Sequence, residues 1–322
     1  MNLSKLCASA LVTFGVLSGT QAFAQAYPTK PVTIVVPYAA GGATDVIARM
    51  VGQKLSDKWG QPVIVNNRPG AGTAIGAESV VRAPADGYTL YMTTAAHTIS
   101  ASLYKKLSYD PIKDFAPISL TSVVPLVLVA SPKLPAHTLQ ELIQYAKANP
   151  GVTYGSPGNG SPQHLTGALF KSQTKLDLIH VPYKGDAPML NDLLGGQVQT
   201  AFVTLSAAIP HIKSGKINAI ALAHPKRIDA IDKVPTFTEA GMSGFEAATW
   251  FGLFSSASVP ADLQNKIYQD VSTIVATPEI RGKIQDIGGE IVNSSPMNFS
   301  AFIQKESKRW AEAVQISGAQ VD

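Results

Sequence analysis

The fold class follows from residues 32–55, which read VTIVVPYAAGGATDVIARMVGQKL. The first five residues form a short, mainly apolar run that ends at Pro37, and this pattern is typical of a buried β-strand. A second such run covers residues 63–65, after Gly60 and Pro62. Between the two runs, apolar residues at helical spacing predict an amphipathic helix: Val46, Ile47, Met50, Val51 and Leu55. The segment is therefore predicted to be a βαβ unit.

The same alternation continues along the chain. We predict further strands over 88–93, 124–130, 152–154, 199–203 and 217–223. Helices are predicted over 73–82, after a capping box at 138–141, around 165–169 and 189–194, and over 261–276, 279–287 and 298–314. Alternating strands and helices of this kind predict an α/β protein with mostly parallel sheets. If the chain forms two lobes, the periodicity alone does not determine how it crosses between them.

The N-terminal residues predict export. Lys5 precedes an apolar run over 6–17, and the small residues at 22–26, AFAQA, contain two overlapping A-x-A sites. The run is shorter than the roughly 18 residues that suggest a membrane-spanning helix, so we expect a signal peptide over 1–24 and a periplasmic protein, with an uncleaved anchor as the alternative. The one cysteine, Cys7, lies in this segment, so no thiol is expected in the mature chain for catalysis or zinc binding.

Several functions are disfavoured by composition and motifs. The net charge of +4 comes without a basic stripe, which argues against nucleic acid as a partner. The six histidines lack metal-ligand spacing, so neither a metal nor a cofactor is expected. Residues 70–76, GAGTAIG, superficially match a dinucleotide fingerprint, but the spacing is off by one and no fitting acidic residue follows. The chain also lacks a phosphate loop and a nucleophile elbow.

Two glycine-bearing loops follow predicted strands and open predicted helices. They read PYAAGGATD at 37–45 and GSPGNGSPQH at 155–164. Ligands of open α/β sheets bind outside the carboxyl ends of strands, and a helix start offers N–H groups to an anion. One such loop alone is more often just a tight corner. Two of them, far apart in sequence, favour a shared clamp for an anionic ligand.

At these loops the chain resembles the Bug family, the TctC-like periplasmic binding proteins of tripartite tricarboxylate transporters. The resemblance covers nearly the whole mature chain. Besides residues 37–45, it rests on NNRPGAG at 66–72, PADGYTL at 84–90, KDFAP at 113–117 and VPYKG at 181–185. It implies a two-lobed flytrap, each lobe a mostly parallel sheet flanked by helices. One lobe would be residues 124–223, and the other 25–123 plus 224–322.

The resemblance also implies the ligand site. One lobe would hold the proximal carboxylate with Tyr38, Ala39, Gly41, Ala43 and Asp45, and the other with Ser156, Gly158, Asn159, Ser161 and His164. Selectivity at the distal end would come from Ala96, His97, Tyr183 and Thr204. Asp45 is an odd neighbour for an anion, so we assign it an orienting or capping role. Many relatives have Asp where this chain has Thr204, which makes amino-acid ligands less expected than simple mono- or dicarboxylates, aliphatic or aromatic.

The expected function is capture of a small organic carboxylate and its delivery to a tripartite tricarboxylate-type membrane transporter. Such a protein needs no catalytic residue, and we expect a monomer that is not an enzyme. A sensor that presents its liganded form to a receptor is an alternative that the sequence leaves open. A periplasmic enzyme is a further alternative, for which only His164 and Asp45 could serve as general bases.

Overall fold

The computed structural model describes residues 27–104 and 106–317, so the predicted signal peptide and Cys7 lie outside the described residues. The strands are β1 Val32–Val36, β2 Val63–Asn67, β3 Thr89–Thr93, β4 Phe115–Ala130, β5 Val152–Ser156, β6 Leu178–Pro182, β7 Thr200–Thr204, β8 Asn218–Leu222, β9 Ala248–Ser256 and β10 Glu290–Ile291. The α-helices are α1 Ala43–Trp59, α2 Ala74–Val81, α3 Ala96–Leu103, α4 Leu139–Ala148, α5 Pro162–Thr174, α6 Asp186–Gly195, α7 Leu205–Lys213, α8 Ala261–Val275, α9 Pro278–Asp286 and α10 Pro296–Ser317.

The predicted α/β class is confirmed, but the sheet is mixed. Its main strand order is β2-β1-β3-β9-β4-β7-β5-β6. The outer strands pair in parallel, as the βαβ pattern predicts. Strands β4 and β9 in the middle instead run antiparallel to their neighbours. The expected parallel pairing is therefore found among β1 to β3 and among β5 to β7, but not at the central strands β4 and β9. The chain reaches β9 only after it leaves the second lobe, and β9 runs in the opposite direction to β3 and β4.

The long strand β4 belongs to both lobes. Residues 115–125 pair with β9 on the side of β1 to β3, whereas Leu126 to Ala130 pair with β7 and β8. The chain returns at Ala247, whose amide donates to the carbonyl oxygen of Ala223 at 3.0 Å, just before β9 begins. The two segments that join the lobes thus lie side by side, which is a geometry suited to bending.

The segment between β8 and β9 packs on the second lobe. Phe237 and Phe245 lie in an aromatic cluster with Phe170 and Phe202, with ring centroids 4.6–6.2 Å apart. These contacts favour a boundary near Ala247 over the expected boundary at 224. The division into lobes at 124 and 224 otherwise stays a prediction.

Most helices and strands lie where periodicity placed them, and helix α4 begins with the predicted capping box. The Oγ1 of Thr138 accepts from the amide of Glu141 at 3.2 Å, and the Glu141 carboxylate accepts from the Thr138 amide. Sequence reasoning missed α3, α7, β6, β9, β10 and the first half of β4. Among the described helices none is long and apolar enough to span a membrane.

Candidate functional site

The two predicted loops line one cavity between the lobes. This cavity has a volume of about 370 Å³. The β1–α1 loop contributes Pro37 and Tyr38, and the β5–α5 loop contributes residues 157–159 and Ser161. The complete lining is Pro37, Tyr38, Gly70, Ala71, Gly72, Thr73, Ala96, Tyr104, Pro157, Gly158, Asn159, Ser161, Pro182, Tyr183 and Lys184. Loops from both lobes therefore converge on a space large enough for a small organic molecule.

Asp45 organises the β1–α1 loop from within. Its Oδ2 accepts from the amide of Gly41 at 3.0 Å, and its Oδ1 accepts from Asn67 Nδ2 at 3.0 Å. Arg49, one turn along α1, forms an ion pair with the same carboxylate. Burial opposes ionisation of Asp45, but these hydrogen bonds outweigh it and hold its pKa below the usual value. Since Asp45 holds the loop and is not among the residues that line the cavity, this geometry agrees with the expected orienting role.

The same contacts reduce the number of amides that can meet a ligand. Gly41 N–H is bound to Asp45, and the amide of Ala39 donates to Lys184 O at 2.8 Å. In this loop the amides of Ala40 and Gly42 make no hydrogen bond to any described residue. Both amides therefore already have protein acceptors in this arrangement, and the expected contact of Ala39 and Gly41 with a carboxylate stays a prediction.

The β5–α5 loop is braced by its own side chains. Ser161 is the N-cap of α5, and its Oγ accepts from the amide of His164 at 3.1 Å. The amide of Gly158 donates to Ser156 Oγ at 3.2 Å, and Gly160 N–H donates to His164 Nδ1 at 3.2 Å. Ser156 and His164 are buried and do not line the cavity, so they support the loop. In contrast, the backbone amide of Asn159 is without a partner among the described residues.

Two imidazoles stack beneath this loop. The rings of His164 and His180 are parallel within 15° at a centroid distance of 3.9 Å, and Ser156 Oγ lies 2.7 Å from His180 Nε2. Burial lowers the pKa of His164 to about 4. Burial, with a smaller effect of His164, lowers the pKa of His180 to about 3. Both rings are therefore neutral near pH 7, and His180 is a supporting residue that sequence reasoning missed.

Across the cleft, the start of α6 meets the start of α1. Asp186 Oδ2 lies 3.4 Å from the amide nitrogen of Ala43, and the Ala39–Lys184 hydrogen bond lies next to it. Asp186 is 6% exposed, and its Oδ1 has no hydrogen-bond partner among the residues that the structure describes. Burial raises the pKa of this carboxyl to about 6, although the Ala43 amide opposes the shift.

A narrower cavity of about 10 Å³, enough for about one water molecule, lies beside this carboxyl. Tyr38 and Pro157 line both this cavity and the larger one. Thr204 lies here as well, where its Oγ1 accepts from Gln163 Nε2 at 2.8 Å. The full lining is Tyr38, Gly42, Ala43, Thr44, Thr94, Pro157, Gln163, Asp186 and Thr204.

His97, expected to set selectivity at the distal end, is enclosed by aromatic rings. Its ring lies 4.7 Å from Phe115 and 4.7 Å from Phe254, measured between centroids, and 1% of the residue is exposed. Burial lowers its pKa to about 4. His97 therefore belongs to the core, because α3, which the sequence did not reveal, turns it inward. Its neighbour Ala96 does line the cavity, as expected.

Tyr183 also lines the cavity as expected, and its hydroxyl donates to Asp192 Oδ2 at 2.8 Å. Sequence reasoning did not place the loop at 70–73 in the site, although residues 66–72 carried part of the family resemblance. In this loop the non-glycine residues Ala71 and Thr73 have φ of 45° and 87°. Strained backbone of this kind concentrates at ligand sites. The signal available in sequence was the glycine pair at 70 and 72, for which the third glycine, Gly76, lies one residue too far along the chain to complete a dinucleotide fingerprint.

Comparison with known proteins places this site in a family. Residues 47–318 match the tripartite tricarboxylate transporter family receptor. The chain is 33% identical to periplasmic binding protein BugD, with a TM-score of 0.88 over 91% of this chain and 99% of that one. An R. palustris protein solved with adipate is 34% identical, with a TM-score of 0.88 over 92% and 100% of the two chains. MatC from Rhodopseudomonas palustris, solved with bound malate, is 31% identical, with a TM-score of 0.85 over 89% and 100%. The chain belongs to the tripartite tricarboxylate transporter receptor family of two-lobed periplasmic binding proteins.

Proposed function

We propose that this protein captures a small organic carboxylate between its lobes and delivers it, unchanged, to a tripartite tricarboxylate-type membrane transporter. The observation that carries the proposal is the shared cavity, lined by the two loops that open α1 and α5. We propose export to the periplasm with removal of residues 1–24, and action as a monomer without cofactor.

Carboxylate selectivity has a physical basis in this cavity. The N-terminal turn of α1 carries partial positive charge. Gly42 at the narrow cavity and Asn159 at the larger one, whose amides have no partner among the described residues, offer hydrogen bonds from opposite lobes. Lys184 adds a cation at the wall. Two relatives are bound to dicarboxylates, adipate and malate, which supports the same ligand class here. Because amides from both lobes would share one ligand, binding would favour the closed form.

Catalysis is less well supported. Asp45, one expected general base, is held in an ion pair with Arg49, and His164 is buried with its Nδ1 engaged by Gly160. Neither lines the cavity. A sensory role would use the same closure and differ only in the protein that recognises it.

A thermal-shift screen of the purified protein against mono- and dicarboxylates tests the binding function. A ligand at a hundred times its Kd adds about 2.7 kcal/mol to the free energy of unfolding, which is easily detected. We expect stabilisation by at least one simple carboxylate such as adipate, weaker stabilisation by glutamate, and recovery of the ligand unchanged. No shift with any carboxylate would contradict the proposal. Comparison of uptake and transcriptional response in a deletion strain would separate transport from sensing.

A further inference from the structure

The carboxyl of Asp186 does not hold a loop of the site in place, as the carboxylate of Asp45 does. It is buried between the lobes, and within the described part of the chain it accepts one weak hydrogen bond from Ala43 N–H while its Oδ1 has no partner. A structural carboxylate at this position would be expected to have several donors, as Asp45 has. Asp186 instead lines the narrow cavity together with Tyr38 and Thr204, and this cavity shares Tyr38 and Pro157 with the larger one.

No lysine, arginine or histidine lines this narrow cavity. The elements packed around Asp186 carry Tyr38, Asp45, Arg49, His164 and, in its own loop, Lys184. Arg49 is paired with Asp45, and the stacked His164 is neutral near pH 7 because burial lowers its pKa to about 4. Lys184 lines the larger cavity. None of these residues therefore forms an ion pair with the Asp186 carboxylate.

The proposed carboxylate ligand would approach the same helix start that Asp186 contacts. Two carboxylates that share one site cannot both be ionised at low cost, so one of them binds a proton. We propose that Asp186 is a ligand-contacting residue that acts as a neutral acid. It would donate its O–H to the ligand carboxylate, directly or through one water in the narrow cavity, so that ligand capture takes up one proton from solvent. This inference rests on the proposed function and extends it, since a neutral Asp186 selects a carboxylate over an ammonium group.

Calorimetry on the full mature protein tests the inference, with adipate as the probe and malate as a second one. Titrations at pH 7 in two buffers of different ionisation enthalpy give the number of protons taken up per ligand. We expect a value close to one for the wild type. We also expect the affinity to fall about tenfold per pH unit between pH 7 and 8, as uptake of one proton requires. His97, His164 and His180 do not interfere in this range, because burial lowers the pKa of each to about 4 or 3.

The variant Asp186→Asn keeps a donor but cannot titrate, so it should bind adipate with no proton uptake and with an affinity independent of pH from 7 to 8. Asp177→Asn, which removes the same charge from an exposed position of the same lobe, is the matched control and should behave as the wild type. Adipate binding without proton uptake by the wild type would overturn the inference and leave the proposed function intact, even if Asp186→Asn failed to fold. Unchanged proton uptake in Asp186→Asn would also overturn it. If neither adipate nor malate bound, the proposed binding of carboxylates would be wrong for these dicarboxylates. The inference about Asp186 would then be wrong as well.

Discussion

The amide of Ala223 donates to the carbonyl oxygen of Leu126 at 2.9 Å, so the end of β8 is hydrogen-bonded to β4 at the point where β4 passes from one lobe to the other. The amide of Leu126 in turn donates to Ala247 O at 2.9 Å. We expect the lobes to bend at this short ladder, and we predict that the residues between 224 and 247 belong to the second lobe.

We predict that Phe237→Ala lowers the free energy of unfolding by about 3–5 kcal/mol, because it removes a buried aromatic side chain from the second lobe. Denaturant unfolding measures the change, and hydrogen exchange should show the faster opening in β5 and β7 before β1 to β3. Ile179→Ala, at a position 52% exposed, is the control and should change stability little. Faster exchange confined to β1 to β3 would argue against this lobe assignment.

Valine at Gly158 or Gly41 should abolish adipate binding. These residues have φ of 151° and 84°, and a Cβ at Gly158 would lie 3.2 Å from Tyr183 O at the cavity wall. Each replacement would reshape a loop that the ligand must approach. Gly244→Val serves as the control, since it has a comparable φ of 74° with open space around it. It should carry a similar backbone strain yet bind normally. Wild-type affinity in both loop variants would mean that the clamp lies elsewhere.

Asp186→Asn should stabilise the ligand-free protein at pH 8 by an amount on the order of 1–3 kcal/mol. The pKa of Asp186 is raised to about 6 by burial, so the stability linked to this group is present below pH 4 and is lost as the pH rises through 6. Asparagine does not ionise and avoids that loss. Thermal unfolding at pH 4 and pH 8 checks the sign, and the gain should shrink at pH 4. A variant less stable than the wild type at pH 8 would show that the carboxylate has a stabilising partner.

The stacked histidines should make the protein sensitive to mild acid. Their pKa values of about 4 and 3 lie below the value of about 6.5 for the unfolded chain, so the unfolded state binds more protons as the pH falls below 6.5. We expect the melting temperature to fall between pH 7 and 5. His180→Gln should reduce this fall while keeping a polar group near Ser156, whereas His224→Gln, at a half-buried position outside the stack, should not. Equal pH dependence in both variants would contradict the assignment.

Local sequence determined the βαβ pattern, the class of the fold and the loops worth inspecting. The run at 32–36, the capping box at Thr138 and the loops at 37–45 and 155–164 are signals that neighbouring residues carry, and the structure has each as a strand, a helix start or a helix-opening loop. Strand β9 was missed because Thr249, Gly252, Ser255 and Ser256 interrupt its apolar run, so neither a continuous run nor an alternation marks it. The family resemblance supplied the two-lobed arrangement that periodicity could not.

Only the tertiary structure decided which groups reach the cavity. Whether the Gly41 amide is free depends on Asp45, and whether His97 faces a ligand depends on how α3 packs against Phe115 and Phe254. The placement of Asp186 against Ala43 joins residues 143 positions apart on different lobes. Local sequence fixes hydrogen bonds and periodicity over a few residues, whereas burial, charge and access to a ligand are set by chain segments that meet only when the lobes come together.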